Sequence, residues 1–192
     1  MQVVLDDYVA GASFATDLVN TSPRVWVEAG DALPDPQALH DLLGEHGLSP
    51  DALPNGRRPT RGELADVQAL REEIRSILDA PTCDELVDRT HRLLQTVPHH
   101  VRLVPDFQDD YRWNALPDGT IDLAGELTLS IGYSLLGTLR TLGYERFRPC
   151  ASPTCNGVFV DTSRGGRRRY CMPALCGNRI NVANHRQRQR ST

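Results

Sequence analysis

The chain has 192 residues, of which 40% are apolar and 24% charged, and a net charge of −4, as expected for one medium globular domain or one domain with a small appendage. No apolar run approaches the ~20 residues that cross a bilayer, and the N-terminus carries Asp6 and Asp7 where a signal peptide is basic, so we expect no membrane contact and a cytoplasmic chain with reduced thiols. The charge is uneven: residues 1–145 hold 11 arginines and 24 acids, a net −13, whereas residues 146–192 hold 10 arginines and one acid, a net +9.

The first predicted elements in chain order are helical. Phe14, Leu18 and Val19 stand at helical spacing within residues 11–21. Residues 35–48 predict a second helix, with Pro36 in the first turn and Gly47 just after the end. Residues 49–59 are rich in Pro, Gly and Asn and predict a loop.

Two capping-box patterns mark the next helices. Thr60-x-x-Glu63 precedes apolar residues of period 3.6 that extend to about Ala80. Thr82-x-x-Glu85 precedes a second such stretch, which extends to Val97. Only Pro81 separates the two, so we expect a helical hairpin.

A hairpin and a long apolar helix complete the first domain. Residues 101–116 partly alternate and predict two short strands around residues 108–110. Asp122 to about Leu142 predicts a buried central helix that ends at Gly143. The aromatic residues expected in the core rather than around a pocket are Trp26, Tyr111 and Trp113. The first domain, residues 1–145, is therefore predicted as mainly α-helical, of α+β type with a minor β-hairpin.

Four of the five cysteines form two equally spaced pairs, Cys150-x4-Cys155 and Cys171-x4-Cys176. Four thiolates are the ligand set of a structural tetrahedral Zn²⁺ site, whereas a catalytic zinc usually has His or carboxylate ligands and an open position. Two matched pairs within 27 residues are unlike scattered core cysteines. We therefore predict one structural Zn²⁺ ion bound by these four residues.

The segment around the cysteines predicts a treble-clef-like zinc finger over residues 146–192. Residues 158–160 have strand character, residues 165–166 form a turn, and residues 167–170 are expected as the returning strand. Residues 178 to about 190 contain neither Pro nor a further Gly and predict a C-terminal helix.

Several motifs of this segment resemble the CGNR zinc finger. They are the first Cys-x4-Cys pair, residues 159–163, the arginine cluster, Tyr170-Cys171 and the run Cys176-Gly177-Asn178-Arg179. That finger is found at the C-terminus of bacterial proteins of the ABATE family, which are classed as stress-induced transcription regulators. Upstream, residues 17–21 (DLVNT) resemble an N-terminal motif of the same family. The resemblance implies a DNA-binding regulator with a helical first domain, which we expect to act in sensing or dimerisation.

The arginines are the candidate nucleic-acid contacts, because guanidinium groups bind phosphate oxygens and guanine bidentately. On a C-terminal helix, Arg179, Arg186 and Arg190 fall on one face. The predicted nucleic-acid-binding residues are Arg164, Arg167, Arg168, Arg169, Arg186 and Arg190. For Asn178 and Arg179 we favour a structural role beside the thiolates over contact with bases.

The partners expected on this interpretation are double-stranded DNA and a second copy of the chain, since many regulators read paired half-sites. A small-molecule effector is not specified by any motif. The alternative function is a zinc-stabilised interaction module whose basic finger docks on an acidic protein or on the acidic first domain. A redox switch that ejects zinc is a third. No nucleophile–base, paired-carboxylate or phosphate-loop motif is present, so an enzyme is not expected.

Overall fold

The structure, a computed structural model, describes residues 3–25, 30–106 and 109–177. Among the described residues, five α-helices carry most of the fold. They are α1 (Tyr8–Asn20), α2 (Pro36–Glu45), α3 (Arg61–Leu78), α4 (Cys83–Gln95) and α5 (Leu123–Leu142). The strands are β1 (Val3–Val4), β2 (His99–Pro105), β3 (Tyr111–Pro117), β4 (Phe147–Pro149) and β5 (Val158–Val160). The predicted fold class, mainly α with a small β component, is confirmed.

Side-chain caps begin the helices where the sequence signals predict. Thr60 accepts a hydrogen bond from the Glu63 backbone N–H at 3.2 Å, and the Glu63 carboxylate accepts one from the Thr60 N–H at 2.7 Å, which completes the capping box of α3. Thr82 caps α4 by accepting from Glu85 N–H. Asp122 caps α5 in the same way. Each cap satisfies an N–H group that has no partner inside its own helix.

Helix α5 packs against α1, α3 and α4 and is largely buried. Small residues make these contacts possible: a Cβ on Gly132 would approach the Leu94 side chain to 2.6 Å, and one on Gly11 of α1 would overlap Ser134 of α5. The helix therefore forms the centre of the core, as predicted. Within the described residues, no helix has both the length and the apolar character required to span a membrane.

The predicted hairpin is present and lies in a three-stranded antiparallel sheet of order β1-β3-β2. Strand β1 pairs with β3 at Ala115 and Asn114, and the Leu5 N–H donates to the Trp113 carbonyl, so the far end of the hairpin extends past this contact. Tyr111 and Trp113 are 66% and 51% exposed, and their predicted placement in the core is wrong. Trp26 lies outside the described residues.

Strand β5 pairs antiparallel with β4, and Phe147 lies opposite Val160. The predicted returning strand over residues 167–170 is wrong, because that segment joins neither described sheet. A backbone hydrogen bond from the Ala151 N–H to the Arg169 carbonyl holds it, together with side chains. The Arg168 backbone N–H donates to the Asp161 carboxylate, and the Arg148 guanidinium donates to the Arg168 carbonyl. The predicted turn at residues 165–166 is present, with Gly166 at a φ of +58°.

Candidate metal centre

The four paired cysteines converge on one point. Their sulfur atoms all lie within 4.8 Å of one another, and the distances from Cys155 to Cys171, Cys155 to Cys176 and Cys171 to Cys176 are 3.5, 3.7 and 3.8 Å. A zinc ion at ~2.3 Å from four tetrahedral sulfurs separates those sulfurs by about 3.8 Å. The cluster therefore has the ligand type, number and spacing to hold one zinc ion, as predicted.

Backbone hydrogen bonds place the ligands. Cys150 follows β4, and its N–H donates to the Gly157 carbonyl at 2.8 Å. The N–H of Cys171 points at the Cys150 sulfur at 3.5 Å, and that of Gly157 points at the Cys155 sulfur at 3.3 Å. Cys176 lies in a short π-helical turn, Pro173–Gly177. These N–H groups stabilise negative charge on the sulfurs.

Burial opposes the ionisation of two of the four thiols. Burial raises the pKa of Cys171 far above its usual range, and the neighbouring Cys155 sulfur raises it further. Burial and the same neighbour raise the pKa of Cys176 to about 11. Burial also acts on Cys150, but hydrogen bonds from the Cys171 and Ser152 N–H groups outweigh it and lower that pKa. A bound divalent cation supplies the missing positive charge.

Asp161 organises the loop between the two cysteine pairs. Its fully buried carboxylate accepts hydrogen bonds from the N–H and hydroxyl groups of Ser163, at 3.0 and 2.5 Å, and from the N–H of Arg168 at 2.9 Å. Burial raises the pKa of Asp161, but these bonds and the Arg148 guanidinium outweigh it, so the net shift is downward. The ionised carboxylate thus fixes the loop that carries the arginines.

The arginines of this loop have two different environments. Arg164, Arg167 and Arg169 are exposed. Arg168 is half-buried: its guanidinium lies 5.0 Å from the centre of the Phe159 ring and donates to the carbonyls of Tyr170 and Cys171. The other predicted site residues, Arg186, Arg190, Asn178 and Arg179, lie outside the described residues, as does the predicted helix that contains them.

Two buried polar side chains of helix α1 bind strand β5, which lies between the two cysteine pairs. The Asn20 amide donates to the Val158 carbonyl at 2.7 Å and accepts from the Val158 N–H at 3.1 Å. Thr16 accepts from the Val160 N–H at 3.0 Å. These side chains take the place of a neighbouring strand at the second edge of β5. The Val158 and Val160 side chains belong to the main hydrophobic core. The sequence marked Asn20 only as part of the DLVNT motif; its partner was not predicted.

Gly157 lies between this contact and the cysteines. A Cβ there would overlap the Cys171 sulfur and lie 2.7 Å from the Asn20 side-chain oxygen. A second contact is made next to it, where the Arg75 guanidinium donates to the Asn156 carbonyl at 2.8 Å. Gly157 is thus the residue that packs between the cysteine cluster and helix α1.

Comparison with known families agrees with this architecture. Residues 146–189 match the CGNR zinc finger. Residues 12–139, about two thirds of the chain, match the family described as "ABATE: Putative stress-induced transcription regulator". No curated protein matches the chain. The chain belongs to the ABATE family and carries a CGNR zinc finger at its C-terminal end.

Proposed function

We propose that the protein is a transcription regulator that binds double-stranded DNA through the arginines of its zinc finger. The observation that carries this proposal is the exposure of Arg164, Arg167 and Arg169 on a loop that is anchored to the cysteine cluster. Guanidinium groups held at fixed positions are suited to bidentate contact with phosphate oxygens. The transcription-regulator class of the family agrees with this activity.

The metal has a structural role in this proposal. A segment of this size has little core of its own, so the free energy of metal binding contributes to its folding. Cys150, Cys155, Cys171 and Cys176 would hold the ion. Asp161 and Arg168 then hold the arginine loop against the cluster.

Docking of the exposed arginines on the acidic helical domain finds less support. Among the described residues, no ion pair joins Arg164, Arg167 or Arg169 to an acidic side chain. Arg168 is the arginine that faces the helical domain, where its charge acts on Asp17. We therefore assign Arg168 a structural role and propose that Arg164, Arg167 and Arg169 contact DNA.

The C-terminal residues complete the proposed surface. We include Arg186 and Arg190 among the DNA contacts, because on a helix they share a face. Asn178 and Arg179 are proposed to support the thiolates. Homodimer formation remains a prediction from the sequence alone.

The test compares two triple variants of equal charge change. Arg164→Ala/Arg167→Ala/Arg169→Ala alters the loop, whereas Arg58→Ala/Arg61→Ala/Arg140→Ala removes three exposed arginines of the helical domain. Binding to a labelled duplex from the region upstream of the gene is measured by fluorescence anisotropy between about 50 and 200 mM salt. An Arg168→Ala variant and an Arg186→Ala/Arg190→Ala variant run beside them, each checked for zinc content.

For the wild type we expect affinity to fall by orders of magnitude across this salt range. The loop variant should bind more weakly and reduce the slope of log K against log salt by up to about 3, since each phosphate contact contributes ~0.9. The matched control should retain the wild-type slope. Equal losses in both triple variants would indicate an effect of net charge alone. Absence of wild-type binding at low salt would reject DNA and favour an acidic protein partner.

A further inference from the structure

One side of the β2–β3 hairpin is apolar and exposed. Three pairs of residues lie opposite each other on this side, Val101 with Ala115, Leu103 with Trp113, and Pro105 with Tyr111. They share it because opposite residues in a sheet, and residues two apart in a strand, point the same way. Four of them, here called the hairpin face, are 40, 48, 51 and 66% exposed: Val101, Leu103, Trp113 and Tyr111.

The hairpin face continues the side of the sheet that packs on the helices. Ala115 is 1% exposed and belongs to a buried cluster with Leu94 of α4 and Leu129 of α5. Trp113 lies two positions away on the same strand and the same side, yet half of it is exposed. A sheet with one apolar side gains stability when a second layer covers that side. The uncovered part, the hairpin face, is therefore suited to a partner.

The charges of the hairpin lie on its other side. Arg102 lies opposite Asn114, and Arg112 lies opposite Val104. Both arginines therefore point away from the hairpin face. At the strand positions that share its side, which are all described, there is no arginine, aspartate or glutamate. Nucleic acid and charged peptides would find no counter-charge there, whereas a second copy of the chain offers an equally apolar surface of the same size.

The area of the hairpin face agrees with a weak dimer. With 150–250 Å² for each aromatic side chain, Tyr111 and Trp113 together leave roughly 200 Å² exposed. Val101 and Leu103 enlarge this patch. Weak and transient complexes bury less than about 600 Å² on each partner, and the centre of an interface is its most apolar part. The hairpin face thus has the area for the centre of such an interface, with polar residues around it.

We propose that two copies of the chain pack their hairpin faces against each other about a two-fold axis, with Leu103 and Trp113 of each copy at the centre. A two-fold axis uses the same patch on both copies and closes at two. Each hairpin then forms the second layer over the other, as in packed sheets. The interface goes beyond the homodimer predicted from the sequence, to which no surface was assigned, and it does not depend on DNA binding.

Sedimentation equilibrium of the zinc-loaded full chain tests the dimer, in the absence of DNA and with a thiol reductant. The chain is measured at concentrations from about 1 to 300 μM, and we expect a monomer–dimer equilibrium with a Kd of about 10–100 μM. A chain that stays monomeric over this range would overturn the proposal. Association that continues beyond the dimer would also overturn it, because a two-fold contact closes at two copies.

Single variants locate the interface. Trp113→Ser tests the face itself, because Trp113 lies on the central strand β3 and not on the edge strand β2. It should raise the Kd at least about tenfold, as should Leu103→Ser on β2. The controls are Arg102→Ser, on the other side of β2, and Leu175→Ser, which is 48% exposed outside the hairpin. Both controls should stay within about twofold of the wild type.

Circular dichroism and zinc content establish that the four variants fold, since each change is at an exposed position. Wild-type association in folded Trp113→Ser would contradict the proposed interface. If Leu103→Ser alone weakened association, strand pairing along the β2 edge would replace the packing of faces. Equal weakening in the two controls would show that association is not specific to the hairpin face, and would equally overturn the proposal.

Discussion

The side-chain amide of Asn20 pairs with both the N–H and the carbonyl of Val158, 138 positions further along the chain. This pairing continues β5 on its free edge with a helix side chain instead of a strand. It also places α1 next to Gly157 and the cysteine cluster. The zinc finger is therefore fixed to α1 by specific polar contacts as well as by apolar packing.

Replacement of Asn20 by Ala should destabilise the protein strongly. The change leaves the buried N–H and carbonyl of Val158 without partners, and each such group costs about 1–3 kcal/mol, so we expect a loss of about 2–6 kcal/mol. Urea unfolding of the zinc-loaded chain measures it. Asn156→Ala removes one exposed side-chain bond, to the Arg24 carbonyl, and as a control should cost less than about 1 kcal/mol. Equal stability of the two variants would show that the Asn20 pairing contributes little.

Replacement of Gly157 by Ala should weaken zinc binding and stability together. The added Cβ overlaps the Cys171 sulfur and crowds Asn20, and such overpacking costs about 1–3 kcal/mol. Chelator competition and urea unfolding follow the two effects. Gly44→Ala, in the exposed part of α2 with no atom near the new Cβ, should instead stabilise by up to about 1 kcal/mol. Unchanged zinc affinity in Gly157→Ala would argue against the close packing described here.

Replacement of Asp161 by Asn should loosen the arginine loop. The pKa of Asp161 is lowered in the folded chain, so at pH 7 its carboxylate is ionised and contributes its full stabilisation. An amide cannot accept all the hydrogen bonds from Ser163 and Arg168, and we expect a cost of about 2 kcal/mol or more in urea unfolding at pH 7. Asp88→Asn, at an exposed position of α4, should stay within about 0.5 kcal/mol of the wild type. A loss no larger than that in Asp161→Asn would refute this role.

The capping box of α3 predicts a pH effect far from the metal. A hydrogen bond from Arg57 is the main reason that the pKa of Glu63 falls from 4.5 to about 2, and its bonds with Thr60 act in the same direction. Because the folded pKa is lowered, the stabilisation is complete above pH 4.5 and is lost as the pH falls toward 2. The stability difference between wild type and Glu63→Gln should therefore shrink between pH 6 and pH 3.

Urea unfolding at several pH values, with Glu73→Gln as an exposed control in the same helix, measures this effect. Zinc release at low pH destabilises the wild type, Glu63→Gln and Glu73→Gln alike. It therefore cancels when their free energies of unfolding are subtracted. A difference between wild type and Glu63→Gln that is constant with pH would contradict the lowered pKa.

Local signals predicted most of the helical domain. The Thr60 and Thr82 caps act within three residues of their own position, so the sequence contains both partners of each bond. The cysteine cluster was predictable for a related reason, since two equal spacings and the chemistry of four thiolates leave few alternatives.

Contacts between distant residues account for what the sequence did not predict. The segment at residues 167–170 follows a turn, as a returning strand would, but it is held by a hydrogen bond that Arg148 donates to it and by one that it donates to Asp161. Strand β5 pairs with β4 instead. Tyr111 and Trp113 are large aromatic residues of the kind common in cores, yet both are exposed on the hairpin. Neither outcome follows from propensity or periodicity within one segment.

The dependence of DNA affinity on zinc tests whether the metal supports the arginine loop in DNA binding. Anisotropy with one duplex is measured for the zinc-loaded chain, for the chain after chelation and dialysis, and after zinc is restored. We predict that removal weakens binding at least about tenfold, a loss of ~1.4 kcal/mol, and that zinc restores it. Binding of equal strength with and without zinc would contradict this role of the metal, and a zinc-loaded chain that does not bind DNA would contradict the proposed function.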